Sequence, residues 1–261
     1  MHPMLNTAIK AARAAGKVMT RSWQRLDELS IREKGRHDYV SEVDIQAEQS
    51  IVQVLRQAYP EHGIMAEEGS NHTGQDGFVW IIDPLDGTTN YLHGVPHFAV
   101  SIALKRHERL EQAVIYDPLR EELFSATRGG GAFMNDRRIR VTSRVDLQGA
   151  LLGTGIPFRA EQDLARYLKT LQALLPDTSG VRRAGSAALD LAYVAAGRFD
   201  GYWEFGLRPW DIAAGILLVQ EAGGLVSDMD GQPDVWRQGN VVAANPKLLK
   251  LMLQRLRASQ L

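Results

Sequence analysis

The sequence predicts a mixed α/β protein, an α+β half followed by an α/β half, and three observations lead there. Apolar residues recur at helical spacing through the first sixty residues, short apolar runs of β character follow, and beyond Thr142 strands and helices alternate. With 261 residues, 44% of them apolar, the chain can build a sizeable core in one large domain or two compact halves.

Ala8, Ile9, Ala12, Ala15, Val18 and Met19 outline a first amphipathic helix. Residues 47–59 repeat the pattern through Ile51, Val54, Leu55 and Ala58 until Pro60 stops it. The texture changes at Gly63, where residues 64–66, 78–82, 98–104, 113–116 and 122–126 read as strands of one sheet. Arg128-Gly129-Gly130-Gly131 and Asn135-Asp136 read as turns between strands, because neither opens a helix as a phosphate-cradling glycine loop would. After Thr142 the order is strand 150–154, helices 162–175 and 186–196, strand 201–205, helix 212–222, strand 240–243 and a last helix from Pro246. No Pro/Gly/Ser linker, repeat or low-complexity tract separates residues 1–142 from 143–261, so the two halves are expected to fold together as one catalytic unit.

Composition narrows the function. Thirty Lys+Arg against 31 Asp+Glu leave a net charge of −1, so strong direct nucleic-acid binding is not expected, and any such affinity must come from a local patch. The lack of cysteine excludes disulfides, thiolate metal sites and cysteine nucleophiles, and fits a reducing cytoplasm. The opening residues carry no basic segment followed by an apolar one, and no apolar run approaches the length of a membrane span, so a cytoplasmic protein is expected.

The most informative stretch is Asp83-Pro84-Leu85-Asp86-Gly87-Thr88-Thr89-Asn90, in which an apolar strand ends in two acids three residues apart. Pro84 stiffens the turn, so that Asp83 and Asp86 can face one point with the Leu85 carbonyl as a third oxygen, a donor set suited to Mg²⁺. Gly87-Thr88-Thr89 resembles a helix start, whose unpaired N–H groups favour a phosphate oxygen. Taken alone, such acids usually make Asx turns and N-caps. Further acids stand in similar settings, however: Glu67-Glu68 after a strand, Asp38 and Asp44 before a helix, and Asp211 after Trp210. If they converged, their repulsion and desolvation would call for cations. Spacing alone does not show that they do.

These residues, with Trp210-Asp211-Ile212-Ala213-Ala214-Gly215 downstream, resemble the paired signatures of the inositol monophosphatase family of Mg²⁺-dependent phosphatases. Residues 38–44, Ala66-Glu67-Glu68 and Glu204-Phe205-Gly206 stand in family order too, so the resemblance spans nearly the whole chain. It implies a layered αβαβα sandwich shared with fructose 1,6-bisphosphatase. It also implies that Glu67, Asp83 and the Leu85 carbonyl hold one Mg²⁺, that Asp83, Asp86 and Asp211 hold a second, and that a weaker third ion sits near Glu67. By the same resemblance Asp44 and Thr88 orient the attacking water, Gly87 and Thr88 bind phosphate, and Glu204 with Gly185, Ser186 and Ala187 takes the polyol. The implied reaction is Li⁺-sensitive hydrolysis of inositol monophosphates, with sugar bisphosphate or nucleotide 3′-phosphate hydrolysis as the alternative.

A phosphate monoester repels a nucleophile through its own charge, so cations that neutralise it and acidify a water do the work without a covalent phosphoenzyme. Direct attack by Asp83 or Asp86 is the other route, disfavoured because acids that serve as metal ligands are poor nucleophiles. The bacterial branch that the chain resembles most, on residues 1–6, 182–191 and 206–211, implies a homodimer and a second role in ribosomal RNA transcription antitermination, through contacts with a Nus factor and RNA polymerase. Lys34-Gly35-Arg36-His37 resembles the family's lid without a clear register, and His93 with His97 is not expected to bind metal because Pro96 interrupts the pair. Arg182-Arg183 reads most simply as a solvated pair.

Overall fold

A computed structural model of the chain describes residues 2–28, 31–35, 38–157, 162–236 and 238–259. Helix α1 (Pro3–Ser22) places proline in its first turn, where the missing N–H costs nothing, and buries Leu5, Ala8, Ala12, Ala15 and Met19. Strands β1 (Ile31–Gly35) and β2 (Asp38–Ser41) pair as an antiparallel ribbon. Helix α2 (Glu42–Ala58) follows, capped at Ser41. Of the lid segment, Arg36 and His37 lie outside the described residues.

A seven-stranded sheet comes next, ordered β3 (Gly63–Ala66), β4 (Phe78–Asp86), β5 (Ala99–Arg106), β6 (Arg109–Asp117), β7 (Glu122–Thr127), β8 (Gly131–Met134) and β9 (Arg137–Arg138). Only β3 and β4 run parallel; the rest is an antiparallel meander, with the short helix α3 (Thr88–Leu92) between β4 and β5. The later half supplies strands β10 (Leu151–Thr154), β11 (Gly180–Arg182), β12 (Gly201–Glu204), β13 (Leu225–Ser227) and β14 (Val241–Ala244). These form one sheet in the order β11-β10-β12-β14-β13. It also supplies helices α4 (Leu164–Leu174), α5 (Ala187–Ala195), α6 (Pro209–Glu221) and α7 (Pro246–Ala258). The sheet is parallel across β11, β10 and β12 and antiparallel across β12, β14 and β13, so its strand directions are mixed.

Burial dictates the stacking. Helices α1 and α2 bury one stripe each and lie on one face of the seven-stranded sheet. Helices α5 and α6 are apolar almost all round, with residues 212–219 buried without interruption, and a helix of that kind must be covered on both sides. They fill the space between the two sheets, and α4 and α7 close the far face. The result is the expected αβαβα sandwich. The two central helices touch where Gly215 of α6 meets Leu191 of α5, and a Cβ at 215 would sit 2.5 Å from the leucine side chain. Gly215→Leu is therefore expected to cost about 1–3 kcal/mol by overpacking and to lower Tm by several degrees. Calorimetry checks this, and an unchanged Tm would show slack at the crossing.

The glycine turn after β7 does more than reverse the chain. The N–H groups of Gly129 and Gly131, both at positive φ, each donate to the Glu221 carboxylate at 2.8 Å. This is an anion-binding concavity, and the protein's own glutamate occupies it.

Candidate active site

Asp83 and Asp86 are three residues apart, an odd interval that in a regular strand puts side chains on opposite faces. The ladder between β4 and β5 pairs Asp83 with Ser101 but Asp86 with Ala99, so β4 carries one extra residue here. That bulge turns the strand end and re-aims the acids toward one cavity. The Leu85 N–H closes an Asx turn on Asp83 Oδ1 at 3.0 Å. The Leu85 carbonyl accepts the Thr88 hydroxyl at 3.1 Å, which leaves one lone pair for another partner. Gly87 then adopts φ 97°, and a Cβ there would press on the His97 and Gly185 carbonyls at 3.1 and 3.2 Å, so only glycine starts α3 at this spot.

Asp211 comes from the other half. It sits at the third position of α6, and the Arg208 N–H donates to its Oδ2 at 2.6 Å, so it also serves the helix start. Ser101 Oγ, on the residue opposite Asp83 in the ladder, donates to the Trp210 carbonyl at 3.2 Å. This bond ties the start of α6 to β5, at the residue that faces Asp83 across the ladder. Glu67 arrives from the turn after β3, with its N–H on the Ile82 carbonyl at 3.2 Å.

These groups line one cavity of about 180 Å³, together with Gly87, Thr88, Gly185, Ser186, Ala187 and Glu204. The first half supplies the strand-end acids, and the second supplies Asp211 and the far wall. Among the described residues no three side chains already close on a single point as a metal cage; the carboxylates stand around the cavity wall.

The electrostatics of that wall are unfavourable as they stand. Burial, then the charges of Glu67, Asp86 and Asp211, hold the Asp83 carboxyl well above the usual range, and it shares a side-chain hydrogen bond with Glu67. Burial lifts Asp86 to about 6, against hydrogen bonds from Ser186 Oγ at 2.6 Å and the Ala188 N–H at 2.7 Å. Burial and Asp86 raise Asp211, with the Arg208 N–H pulling the other way. These donors are hard oxygens whose like charges raise one another's pKa, so the set fits a hard divalent cation such as Mg²⁺ and does not fit soft metals.

Asp44, the remaining predicted residue, lies behind the cavity at the third position of α2. Its Oδ2 accepts the Ser41 N–H at 2.8 Å and the Ser41 hydroxyl at 2.6 Å, while Oδ1 accepts the Thr88 hydroxyl at 3.0 Å. Burial raises its pKa, and these bonds lower it. On the opposite wall the buried Tyr202 hydroxyl donates to Glu204 Oε2.

Several contributors were not legible in the sequence. Beside the polyol role that the resemblance implies for Ser186, its side chain caps α5 and holds Asp86. Asn90 Nδ2 donates to the His97 and Ala184 carbonyls at 2.7 and 2.9 Å, joining the halves beside the cavity. Arg183, expected as half of a solvated pair, and the buried Asp190 also line it. His93 caps the end of α3 and His97 lies beyond it, so the two do not share a helix face. The His97 ring instead packs edge-on against Tyr193. Glu48, which accepts the Glu68 and Ser70 N–H groups, signalled itself only by its four-residue spacing from Asp44 on one helix.

Comparison with known proteins agrees with this geometry. The model of the inositol monophosphatase family matches residues 1–261. The chain is 58% identical over 258 residues to the Nus factor SuhB of Pseudomonas aeruginosa, covering 97% of this chain and 95% of that one. The crystal structure of the extragenic suppressor protein suhB from Bartonella henselae superposes with a TM-score of 0.96 at 45% identity, covering 98% of this chain and 99% of the other. The Thermotoga maritima IMPase superposes with a TM-score of 0.90 at 34% identity, covering 99% and 98%. With the family model matched from end to end and the αβαβα layers and acidic cavity in place, the chain belongs to the inositol monophosphatase family.

Proposed function

We propose that the protein is a Mg²⁺-dependent phosphomonoesterase that hydrolyses inositol monophosphates to inositol and phosphate, with residues 1–142 and 143–261 acting as halves of one catalytic unit. The observation that carries this reading is the meeting of Glu67, Asp83, Asp86 and Asp211, from both halves, at one cavity beside the Asp44–Thr88 pair. Two or three Mg²⁺ ions held by these carboxylates and the Leu85 carbonyl would supply charge neutralisation for the phosphate and a water of lowered pKa.

The chain's own groups do the rest. The N–H groups of Gly87 and Thr88, at the start of α3, take phosphate oxygens. Because the Thr88 hydroxyl shares its one proton between Asp44 Oδ1 and the Leu85 carbonyl, its oxygen presents a lone pair that accepts from the attacking water and aims it. Glu204, held by Tyr202, accepts from polyol hydroxyls, with the backbone of Gly185, Ser186 and Ala187 along the same wall. These contacts orient the ester so that attack and departure are in line.

A second role accompanies the first: assembly into transcription antitermination machinery through contacts with a Nus factor and RNA polymerase. Its support is the name of the Pseudomonas aeruginosa relative. A homodimer is part of this reading, and exposed Leu164 and Leu168 on α4 with nearby Leu175 offer an apolar stripe for it. Work in the cytoplasm is part of the same reading, and among the described residues no helix is long and apolar enough to cross a membrane.

The test is phosphate release from inositol 1-phosphate, fructose 1,6-bisphosphate and a nucleoside 3′-phosphate, each with and without Mg²⁺. Turnover that needs Mg²⁺ and is fastest on inositol 1-phosphate is expected. Faster turnover of the bisphosphate or the nucleotide would move the assignment to the alternative, and no turnover of any would overturn it.

A further inference from the structure

We infer that Glu48 is a positioning residue for the first metal site, its carboxylate clamping the turn that presents Glu67. This deepens the proposed function and rests on the reading of Glu67 as a metal ligand. Glu48 lies on α2 with 2% of its surface exposed, where a carboxylate is costly unless its oxygens are satisfied. Both are: Oε2 accepts the Glu68 N–H at 2.8 Å, and Oε1 accepts the Ser70 N–H at 2.9 Å. Both donors belong to the segment immediately after Glu67 and stand 20 and 22 residues after Glu48 in the sequence.

The clamp completes a set of restraints around Glu67. The Glu67 N–H is fixed on the Ile82 carbonyl of β4, and the Ala66 N–H is fixed on Asn71 Oδ1 at 3.1 Å. Those bonds hold the near side of the turn, and only Glu48 reaches Glu68 and Ser70 among the hydrogen bonds described for these two N–H groups. The base of the turn is closed separately, by the Asn71 N–H on the Gly69 carbonyl at 2.7 Å and by the paired bonds between Ile64 and His72, so the clamp acts on the Glu68–Ser70 stretch, with Gly69 at φ 104° at its centre.

Position on the helix extends the inference. Glu48 stands four residues after Asp44, so the two carboxylates lie one above the other on the same buried face of α2. Asp44 holds Thr88, and Glu48 holds the Glu67 turn. One rigid helix therefore sets the separation between the group that aims the water and the turn that offers a metal ligand. Such outer contacts orient ligands directly bound to a metal, and their loss typically weakens metal affinity by about 10–100-fold.

Glu48→Gln keeps the shape but aims an NH₂ group at a backbone N–H, which breaks one bond and opposes two donors. Glu48→Asp keeps the charge and shortens the reach, and serves as the second variant should the first fold poorly. Mg²⁺ binding by titration calorimetry is the principal readout, with kcat at saturating Mg²⁺, Tm without Mg²⁺ and amide exchange at Glu68 and Ser70 beside it. The expected result for Glu48→Gln is Mg²⁺ affinity weaker by about 10–100-fold, kcat restored to near wild type at saturating Mg²⁺, and faster exchange at those two amides. A lowered Tm with unchanged Mg²⁺ affinity in both variants would overturn the inference, because the clamp would then be structural only. Glu67→Gln is the control. If it binds Mg²⁺ as tightly as wild type, the metal-ligand reading fails first and the inference falls with it.

Discussion

Asp83→Asn is expected to lower phosphate release from inositol 1-phosphate by on the order of a thousandfold or more, while leaving the protein folded. The carboxylate is in electrostatic contact with Glu67, Asp86 and Asp211, and by the proposed reading it serves both metal sites, so its loss takes a donor from each. Losing a metal forfeits several kcal/mol of transition-state charge stabilisation, and each 1.36 kcal/mol is tenfold in rate. The same change relieves a buried like-charge cluster, so metal-free Asp83→Asn is expected to melt above metal-free wild type at pH 7.5 and to respond little to Mg²⁺. Initial rates with calorimetry ± Mg²⁺ check both halves. A variant that retains a tenth of the wild-type rate at moderate Mg²⁺ would remove Asp83 from the metal site. In cells, rRNA antitermination supported by Asp83→Asn would show that the two proposed roles are separable, and loss of both would bind them together.

Metal-free protein is expected to lose stability as pH rises from about 4 to 7, and Mg²⁺ to restore it at the upper end only. The sign follows from the direction of the shifts. Asp86, lifted from 3.8 to about 6, and Asp83 and Asp211, held well above 3.8, bind their protons more tightly folded than unfolded. The contribution is therefore fully present below the ordinary carboxylate pKa and is lost as pH rises through the folded values. For Asp86 alone the loss is about 3 kcal/mol. Cations bind the deprotonated groups, so they compete with protons at pH 5 and meet open carboxylates at pH 7.5. Tm measured with and without Mg²⁺ at both values checks this. A metal-free Tm that rises between pH 5 and 7.5, or an equal Mg²⁺ shift at both, would show that the acids do not share one buried site.

Much of the fold was legible because its signals are local. The period of α1, the β-rich runs from β3 to β7 and the all-apolar stretch of α6 each declare themselves within a dozen residues. The strands that escaped notice are β1, β2, β8, β9, β11 and β13, of two to five residues. Two residues such as Arg137–Arg138 carry no periodicity, and β13 is three residues after a glycine pair. Such strands exist because a neighbour offers unpaired backbone groups, which is information held by the sheet.

The candidate site divides along the same line. By itself the sequence determined which residue types end β4, that Pro84 stiffens their turn, that Gly87 permits the start of α3 and that acids recur at several loop ends. These follow from the chemistry of a few consecutive residues. Only the tertiary structure decided that Asp211, more than a hundred residues downstream, reaches the cavity of Asp83. That outcome depends on the burial of α5 and α6 between two sheets and on the bond from Ser101 to Trp210. It likewise decided that the Ser186 hydroxyl serves Asp86 and that Glu48 serves the Glu67 turn. The physical reason is range: backbone propensity acts over one or two turns, whereas a charge in a low-dielectric interior is placed by whichever donors the packed core brings within about 3 Å.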